Sequence, residues 1–456
     1  MRTTSDDVMW PLSPMDAVMN GFGFVILYIF PPPLSLPYDL KKLHLSFISL
    51  VEHDYPILTG KLNVESETGA VNVQLYAESR QPGAAANIRF ETKVSTSVTT
   101  DQAIQERSWD FMPTTRCNTE PISVKGTVLV DGGLAIGVDV SHTLFDGESF
   151  FTFMTVWGQH YNGVETSNRL VVNHDRHLLM RKGRPSSMQH PEFRVVEAAA
   201  ANGDEKEDAA PASAQALPPT AHHLFHFTPS MMKKIKEVAM WNSRAQDEVT
   251  VATDTTAAYV STVDAITALF TVLISRARGH EKDVRITTGV NARQRLDPPL
   301  PANYVGNVIF NALSTYSASD LQSNGGNIAE VSPALLGRLA RRVRASILQR
   351  DATYLSDAIS FLTEQSNVAA VKVGTDFFFG PDLMFTSWLH MGMYDAEFSG
   401  THPWYACVPS FPCYDGFVMV TEAQHGGEGI DVGVFLECSA MEKLRAAFRE
   451  VSYLDD

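Results

Sequence analysis

Gly137-Val-Asp-Val-Ser-His142-Thr-Leu-Phe-Asp146-Gly-Glu-Ser-Phe-Phe-Thr-Phe153 changes its hydrophobic period midway. Up to Val140 the apolar residues alternate with Gly137 and Asp139, the period of a strand. After Asp146-Gly147 they cluster at Phe150, Phe151 and Phe153, as on a helix. His142 stands where strand gives way to helix. Such a junction presents a side chain from a rigid base, and an imidazole that titrates near neutrality can remove a proton from a hydroxyl or an amine. His142 is therefore the candidate general base. The spacing H-x-x-x-D carries little by itself, because many such histidines only cap or pack.

The segments around this stretch read the same way. Val124 to Val130, Asp131-Gly132-Gly133 and Leu134 to Val140 form two β-rich runs around a turn signal, a hairpin whose second strand runs into His142. Phe22 to Phe30 (FGFVILYIF) reads as a buried strand, and Leu40 to Val51 as an amphipathic helix. In the second half, Thr228 caps a basic helix over Pro229 to Trp241. Ser261 and Asp264 make a capping box for an apolar helix, Val263 to Arg278. Asp283 to Val290 and Val305 to Leu313 read as strands, Pro333 to Arg350 as a helix, and Gly416 to Glu422 and Ile430 to Leu436 as strands flanking a glycine-rich turn. Between the halves, 197–220 is rich in Ala, Pro and acidic residues and reads as an exposed linker. The expected organisation is α/β, with an N-terminal domain over 1–196 and a C-terminal domain over 221–456.

Composition narrows the function. The chain has 456 residues with 52 Asp plus Glu against 36 Lys plus Arg, a net charge of −16 that gives no basic footprint for nucleic acid. The longest apolar run is well short of the roughly 18 to 20 residues a membrane-spanning helix needs. The first residues show no secretory pattern, so a cytoplasmic protein is expected. Cys117, Cys407, Cys413 and Cys438 form no C-x-x-C pair and read as reduced thiols. No histidine, cysteine or carboxylate spacing builds a metal site, and no phosphate-binding, dinucleotide or G-x-S-x-G motif occurs.

SHTLFDGESFF (Ser141 to Phe151) resembles the H-x-x-x-D-G segment of the BAHD acyltransferases, a superfamily of acyl-CoA-dependent enzymes. Further resemblances follow in order along the chain. Leu12-Ser13-Pro14-Met15-Asp16 is similar to the family's L-S-x-x-D, and Tyr55 to Leu62 (YPILTGKL) to Y-P-L-A-G-R-L. Val290 to Pro301 (VNARQRLDPPLP) with Tyr304-Val305-Gly306-Asn307 is similar to V-D-x-R-x-R-x-x-P-P-L-P and Y-x-G-N. Thr386-Ser387-Trp388 matches T-S-W. One block departs: where the family has D-F-G-W-G-K-P, this chain reads Glu397-Phe398-Ser399-Gly400-Thr401-His402-Pro403. That departure questions acyl-CoA geometry more than the chemistry, and it points toward members like the trichothecene acetyltransferases.

The resemblance implies two chloramphenicol-acetyltransferase-like α/β domains with mixed sheets and an interdomain tunnel. It also implies a monomer that takes acyl-CoA, acetyl-CoA being the commonest, and a small-molecule acceptor alcohol or amine of specialised metabolism, with no nucleic-acid or membrane partner. His142 would deprotonate the acceptor. Asp146 would pair with Arg293, or failing that with Arg295, or would simply cap its helix. Trp388, with Thr386 close by, would donate to the oxyanion, or would be a core aromatic. Ser261 and Thr262 would receive pantetheine or phosphate oxygens, or only cap. Two basic runs, Arg276 to Arg285 and Arg338 to Arg350, would supply positive field for CoA, or would be solvated helix faces. A carrier-protein condensation domain, which shares S-H-x-x-x-D, and a silent scaffold of the same fold are the competing readings.

Overall fold

The strands of the first half assemble because their apolar sides alternate. Leu134–Ser141 pairs antiparallel with Gly23–Phe30 on one side and with Ile122–Val128 on the other. A computed structural model describes residues 7–34, 36–180, 184–196, 217–241, 259–323, 326–410 and 414–454. In it, this trio is the centre of a five-stranded mixed sheet, completed by Phe90–Val94 at one edge and Tyr405–Cys407 at the other. The edge strand Tyr405–Cys407 comes from the far end of the chain. A second, six-stranded sheet runs in the order Ile309–Tyr316, Val284–Asn291, Leu383–Ser387, Phe417–Glu422, Ile430–Glu437, Thr220–Phe227. Leu383–Ser387 is parallel to both its neighbours, and the remaining pairs are antiparallel.

Helices pack on each sheet. Leu40–His53 and Gly147–Asn162 pack over the first, burying Phe47, Leu50, Phe150, Phe153 and Trp157 in one aromatic core. Thr262–Arg278, Pro333–Leu348 and Cys438–Arg449 pack over the second and bury Phe270, Leu339, Val343 and Leu444 with the inward residues of its strands. The opposite face of the second sheet, which carries Thr386, Met419 and Gly433, is turned toward the first half.

The halves are interleaved. Leu355, Ile359 and Leu362 of the helix Ala352–Thr363, together with Met393 and Phe398, lie in the first core. Phe193–Val195 pairs with Val371–Val373. Most of the segment expected to be a linker, 197–216, lies outside the described residues. At its far end Thr220 already belongs to a strand, because its backbone is paired with Glu437. The strand expected to start at Val305 begins instead at Ile309. The backbone N–H groups of Asn307 and Val308 are taken by carboxylates, Asp16 and Asp146, which draw this stretch off the sheet.

The divergent Glu397 to Pro403 block is a structural anchor. Phe398 and Thr401 exchange backbone hydrogen bonds around Ser399 and Gly400, both with positive φ (52° and 74°), as a two-residue turn between antiparallel arms requires. Phe398 is buried between Phe30 and Trp157, and the Asn162 side chain donates to the Glu397 carbonyl and accepts from Ser399 N–H. Gly158 lets the Glu397 backbone lie against the motif helix, where a Cβ would collide with it. The block thus seats the edge strand at the far end of the motif helix, and it does not line the opening described below.

Candidate active site

The motif stretch folds as its periodicity indicates. The strand ends at Ser141, and Asp146 is the N-cap of Gly147–Asn162, accepting from Ser149 N–H at 3.0 Å. Cap and ion pair are one structure. Arg293 donates to both carboxylate oxygens of Asp146 at 2.8 Å, and Val308 N–H donates to Oδ2 at 3.0 Å. Burial works against the Asp146 charge, but Arg293 and these backbone donors outweigh it and hold the carboxyl below the usual carboxylate range. With both oxygens committed, Asp146 makes no hydrogen bond to His142. It acts on the histidine through the backbone it holds and through its charge.

The group that touches the imidazole is Asn307. Its Oδ1 lies 3.0 Å from His142 Nδ1, while its Nδ2 faces three acceptors: the carbonyl oxygens of His142 (2.6 Å) and Thr143 (3.2 Å) and Asp16 Oδ1 (3.2 Å). Three acceptors around the amide nitrogen set its orientation, so Oδ1 must accept from Nδ1–H. The lone pair is thereby left on Nε2. Asp16 is itself fixed by Arg176 at 2.9 Å and by Ser13. Phe24 stands edge-on to the His142 ring, with centroids 5.0 Å apart. Burial lowers the His142 pKa below its ordinary value, against the opposing pull of Asp146 and of the Asn307 hydrogen bond, so the imidazole is neutral at pH 7.

Next to the motif helix is an opening of about 290 Å³, counting its mouth, lined by Gly147, Glu148, Asn291, Thr386, Ser387 and Trp388 among others. Trp388 follows the strand Leu383–Ser387. Its indole edge lies against Gly147, and its ring is edge-on to Phe151 at 5.5 Å. Glu148 accepts from Asn291 and stands 3.6 Å from Arg293, so a second carboxylate borders this opening.

Other expected residues lie elsewhere. Arg295 directs Nη1 at the Ile347 carbonyl oxygen (3.4 Å) and leaves Asp146 to Arg293. Ser261 accepts from Asp264 N–H and donates its own N–H to the Asp264 carboxylate, the reciprocal cap of the helix Thr262–Arg278. Arginines of the two basic runs have partners within the chain. Arg276 binds the carbonyls of Leu321, Gln322, Ile328 and Glu330, and Arg278 pairs with Asp415. Arg285 pairs with Asp382, Arg338 and Arg342 with Asp320, Arg344 with Asp264, and Arg350 with the Asn311 carbonyl.

Sequence reasoning assigned no role to Asn307, Asp16 or Arg176. The first two sit in the Y-x-G-N and L-S-x-x-D matches, a signal that they are placed; nothing in the sequence marks Arg176. Among the described residues no group of three or more His, Cys, Asp and Glu can hold a metal ion, and no helix is long and apolar enough to cross a membrane.

Two mixed sheets with an oriented histidine where the halves meet make a two-sheet α/β fold with a candidate active site. Residues 2–451 match the profile of the Transferase family, and the chain belongs to that family, the BAHD acyl-CoA-dependent acyltransferases. It is 26% identical over 424 residues to hydroxycinnamoyl-CoA:5-hydroxyanthranilate N-hydroxycinnamoyltransferase HHT4 of Avena sativa, covering 91% of this chain and 87% of that one. Its fold is similar to that of F. graminearum TRI101 complexed with coenzyme A and deoxynivalenol (TM-score 0.73, 17% identity, 96% and 97% of the two chains). It is also similar to that of vinorine synthase (TM-score 0.63, 19% identity, 100% and 97%).

Proposed function

We propose that this protein transfers an acetyl group from acetyl-CoA to a hydroxyl group of a small acceptor, with His142 as general base. The observation that carries the reading is the Asn307 hydrogen bond, which leaves Nε2 of a neutral imidazole free to accept a proton. As the acceptor oxygen attacks the thioester carbonyl carbon, Nε2 takes its proton. The tetrahedral oxyanion collapses with cleavage of the C–S bond, and the departing thiolate recovers that proton from the imidazolium. Trp388 offers the indole N–H for the oxyanion, and Thr386 lies beside it in the same opening. Asp146 and Arg293 are positioning residues that hold the loop carrying His142 against the second half. Acetyl is the proposed group because acetyl-CoA is the commonest acyl donor. The name of the oat relative makes hydroxycinnamoyl-CoA the competing donor and an amine the competing acceptor.

The test is free-thiol release from acetyl-CoA and from 4-coumaroyl-CoA with a panel of polyols, phenols and amines. Acceptor-dependent release from acetyl-CoA, with product mass increased by one acetyl group on oxygen, is expected. Release from 4-coumaroyl-CoA alone would overturn the acetyl assignment, and turnover only of a carrier-protein thioester would overturn the use of CoA. Trp388→Phe keeps the aromatic packing but removes the donor. It is expected to lower kcat by about 10²- to 10³-fold with little change in KM for acetyl-CoA. A kcat within a few-fold of the parent's would make Trp388 a packing residue only.

A further inference from the structure

A line of hydrogen-bonded groups runs from His142 away from the reacting centre. Asn307 Oδ1 accepts from Nδ1 of the ring, and behind the amide stands Asp16, on the short helix Pro14–Val18. Asp16 Oδ1 accepts from Asn307 twice, from the backbone N–H at 2.9 Å and from Nδ2 at 3.2 Å, and once from Arg176 Nη1 at 2.9 Å. Its Oδ2 accepts from Ser13 N–H at 2.9 Å and from the Ser13 hydroxyl at 2.7 Å. Five donors on two oxygens suit an ionised carboxylate, which can only accept.

The Asp16 and Arg176 side chains are 0% and 1% exposed. Taking both charges out of water costs about what their attraction returns, so such a pair adds little stability over apolar residues of similar size. Its placement says more. Arg176 Nη2 donates at 3.2 Å to the carbonyl of Leu144, inside the loop between His142 and Asp146. Gly306 leaves room for the guanidinium, because a Cβ there would collide with Nη1. Arg176 thereby ties the N-terminal helix to the histidine loop and to the Asn307 segment.

The consequence is electrostatic. A carboxylate accepting from Nδ2 draws the amide's electrons toward Oδ1 and makes that oxygen a stronger acceptor, since hydrogen bonds in a chain polarise one another. When Nε2 takes a proton, Nδ1–H becomes a charged donor and its bond to Oδ1 strengthens. A negative charge behind the amide therefore favours the protonated ring. The other charges around His142 are already paired. Arg293 binds both oxygens of Asp146 and stands 3.6 Å from Glu148, and Arg116, whose Nη2 reaches the same Phe22 carbonyl as His142 N–H, pairs with Asp139. Lys372 stands over the Phe22 ring.

We propose that Asp16 acts on the base through Asn307: its charge, held in place by Arg176, stabilises the His142 imidazolium by way of the amide. No proton passes along the line. Asp16 and Arg176 are positioning residues, and the assignment rests on the reading of His142 as the base of the transferase.

The test follows His142 by NMR in protein labelled with ¹⁵N-histidine, where protonated and bare ring nitrogens have well-separated shifts; the signal is assigned by its loss in His142→Ala. The variants are Asp16→Asn, the double replacement Asp16→Asn with Arg176→Met, and Arg176→Lys. The double replacement is included because Asp16→Asn alone strands a buried guanidinium. In the parent above pH 7 the proton is expected on Nδ1 and Nε2 is expected bare. Both variants that lose the carboxylate should lower the titration midpoint of His142 by about one pH unit. The acidic limb of kcat/KM should move down with it, and kcat should fall about tenfold or more with KM for acetyl-CoA within about twofold of the parent's. Arg176→Lys keeps the carboxylate and a cation and should keep the parent's midpoint. An unchanged midpoint in both carboxylate-free variants, or one shifted as far by Arg176→Lys, would overturn the assignment and leave the pair a brace for the loop. A midpoint that depends on Asp16 while no donor gives up its acyl group would retain the link from Asp16 to His142 and sink the transferase reading instead.

Discussion

His142→Ala is expected to lower kcat by about 10²- to 10⁴-fold at saturating acetyl-CoA and acceptor, the range that a positioned general base contributes. The residue is half-buried, its ring hydrogen-bonded to Asn307 and packed edge-on to Phe24, and the variant should unfold at nearly the same urea concentration as the parent. The pH profile sharpens this expectation. Burial holds the imidazole below the usual histidine value of about 6.5, so the base is already neutral at pH 7, and activity should fall only when pH drops through that lowered pKa. The parent's kcat/KM is expected to show an acidic limb below about pH 6.5, and the alanine variant's residual rate is expected to lack it. An acidic limb retained by His142→Ala, or activity within tenfold of the parent, would assign the base elsewhere.

Arg293→Ala is expected to have the largest effect on stability. The guanidinium and the Asp146 carboxylate are both buried and doubly bonded, and removing one partner of such a pair typically costs about 3 to 5 kcal/mol because the other charge is left uncompensated. Asp146 also receives Ser149 and Val308 N–H, so the loss should loosen the motif helix and the Asn307 segment together. The proper control is the double replacement Asp146→Asn with Arg293→Met, which removes both charges and should recover a good part of the loss. Urea unfolding checks both. The pH dependence has a definite sign. The folded-state pKa of Asp146 is depressed, so its contribution is fully present above the unfolded carboxylate value of about 3.9 and is lost as pH falls toward the lower folded value. In Arg293→Ala the part of the acid limb due to Asp146 should shrink. A single variant as stable as the parent would mean the cap, not the ion pair, holds this junction.

Much of the local structure was written in the order of residues. Alternation followed by clustering around His142 determined a strand running into a helix, and Ser261 with Asp264, or Asp131-Gly132-Gly133, determined a cap and a turn, because these depend on contacts within a few residues. The ordered motifs were enough to indicate the family and to name His142 and Arg293. What lay beyond the sequence was everything set by contacts between distant segments. Only the folded chain decides that Asn307, held by Asp16, meets the imidazole, that Tyr405–Cys407 completes a sheet begun at Gly23–Phe30, and that Arg276 and Arg344 find their partners far along the chain. The physical reason is that hydrophobic period and capping chemistry act locally along the chain. The partner of a buried polar group is whichever distant donor or acceptor the packing of the two sheets brings within about 3 Å.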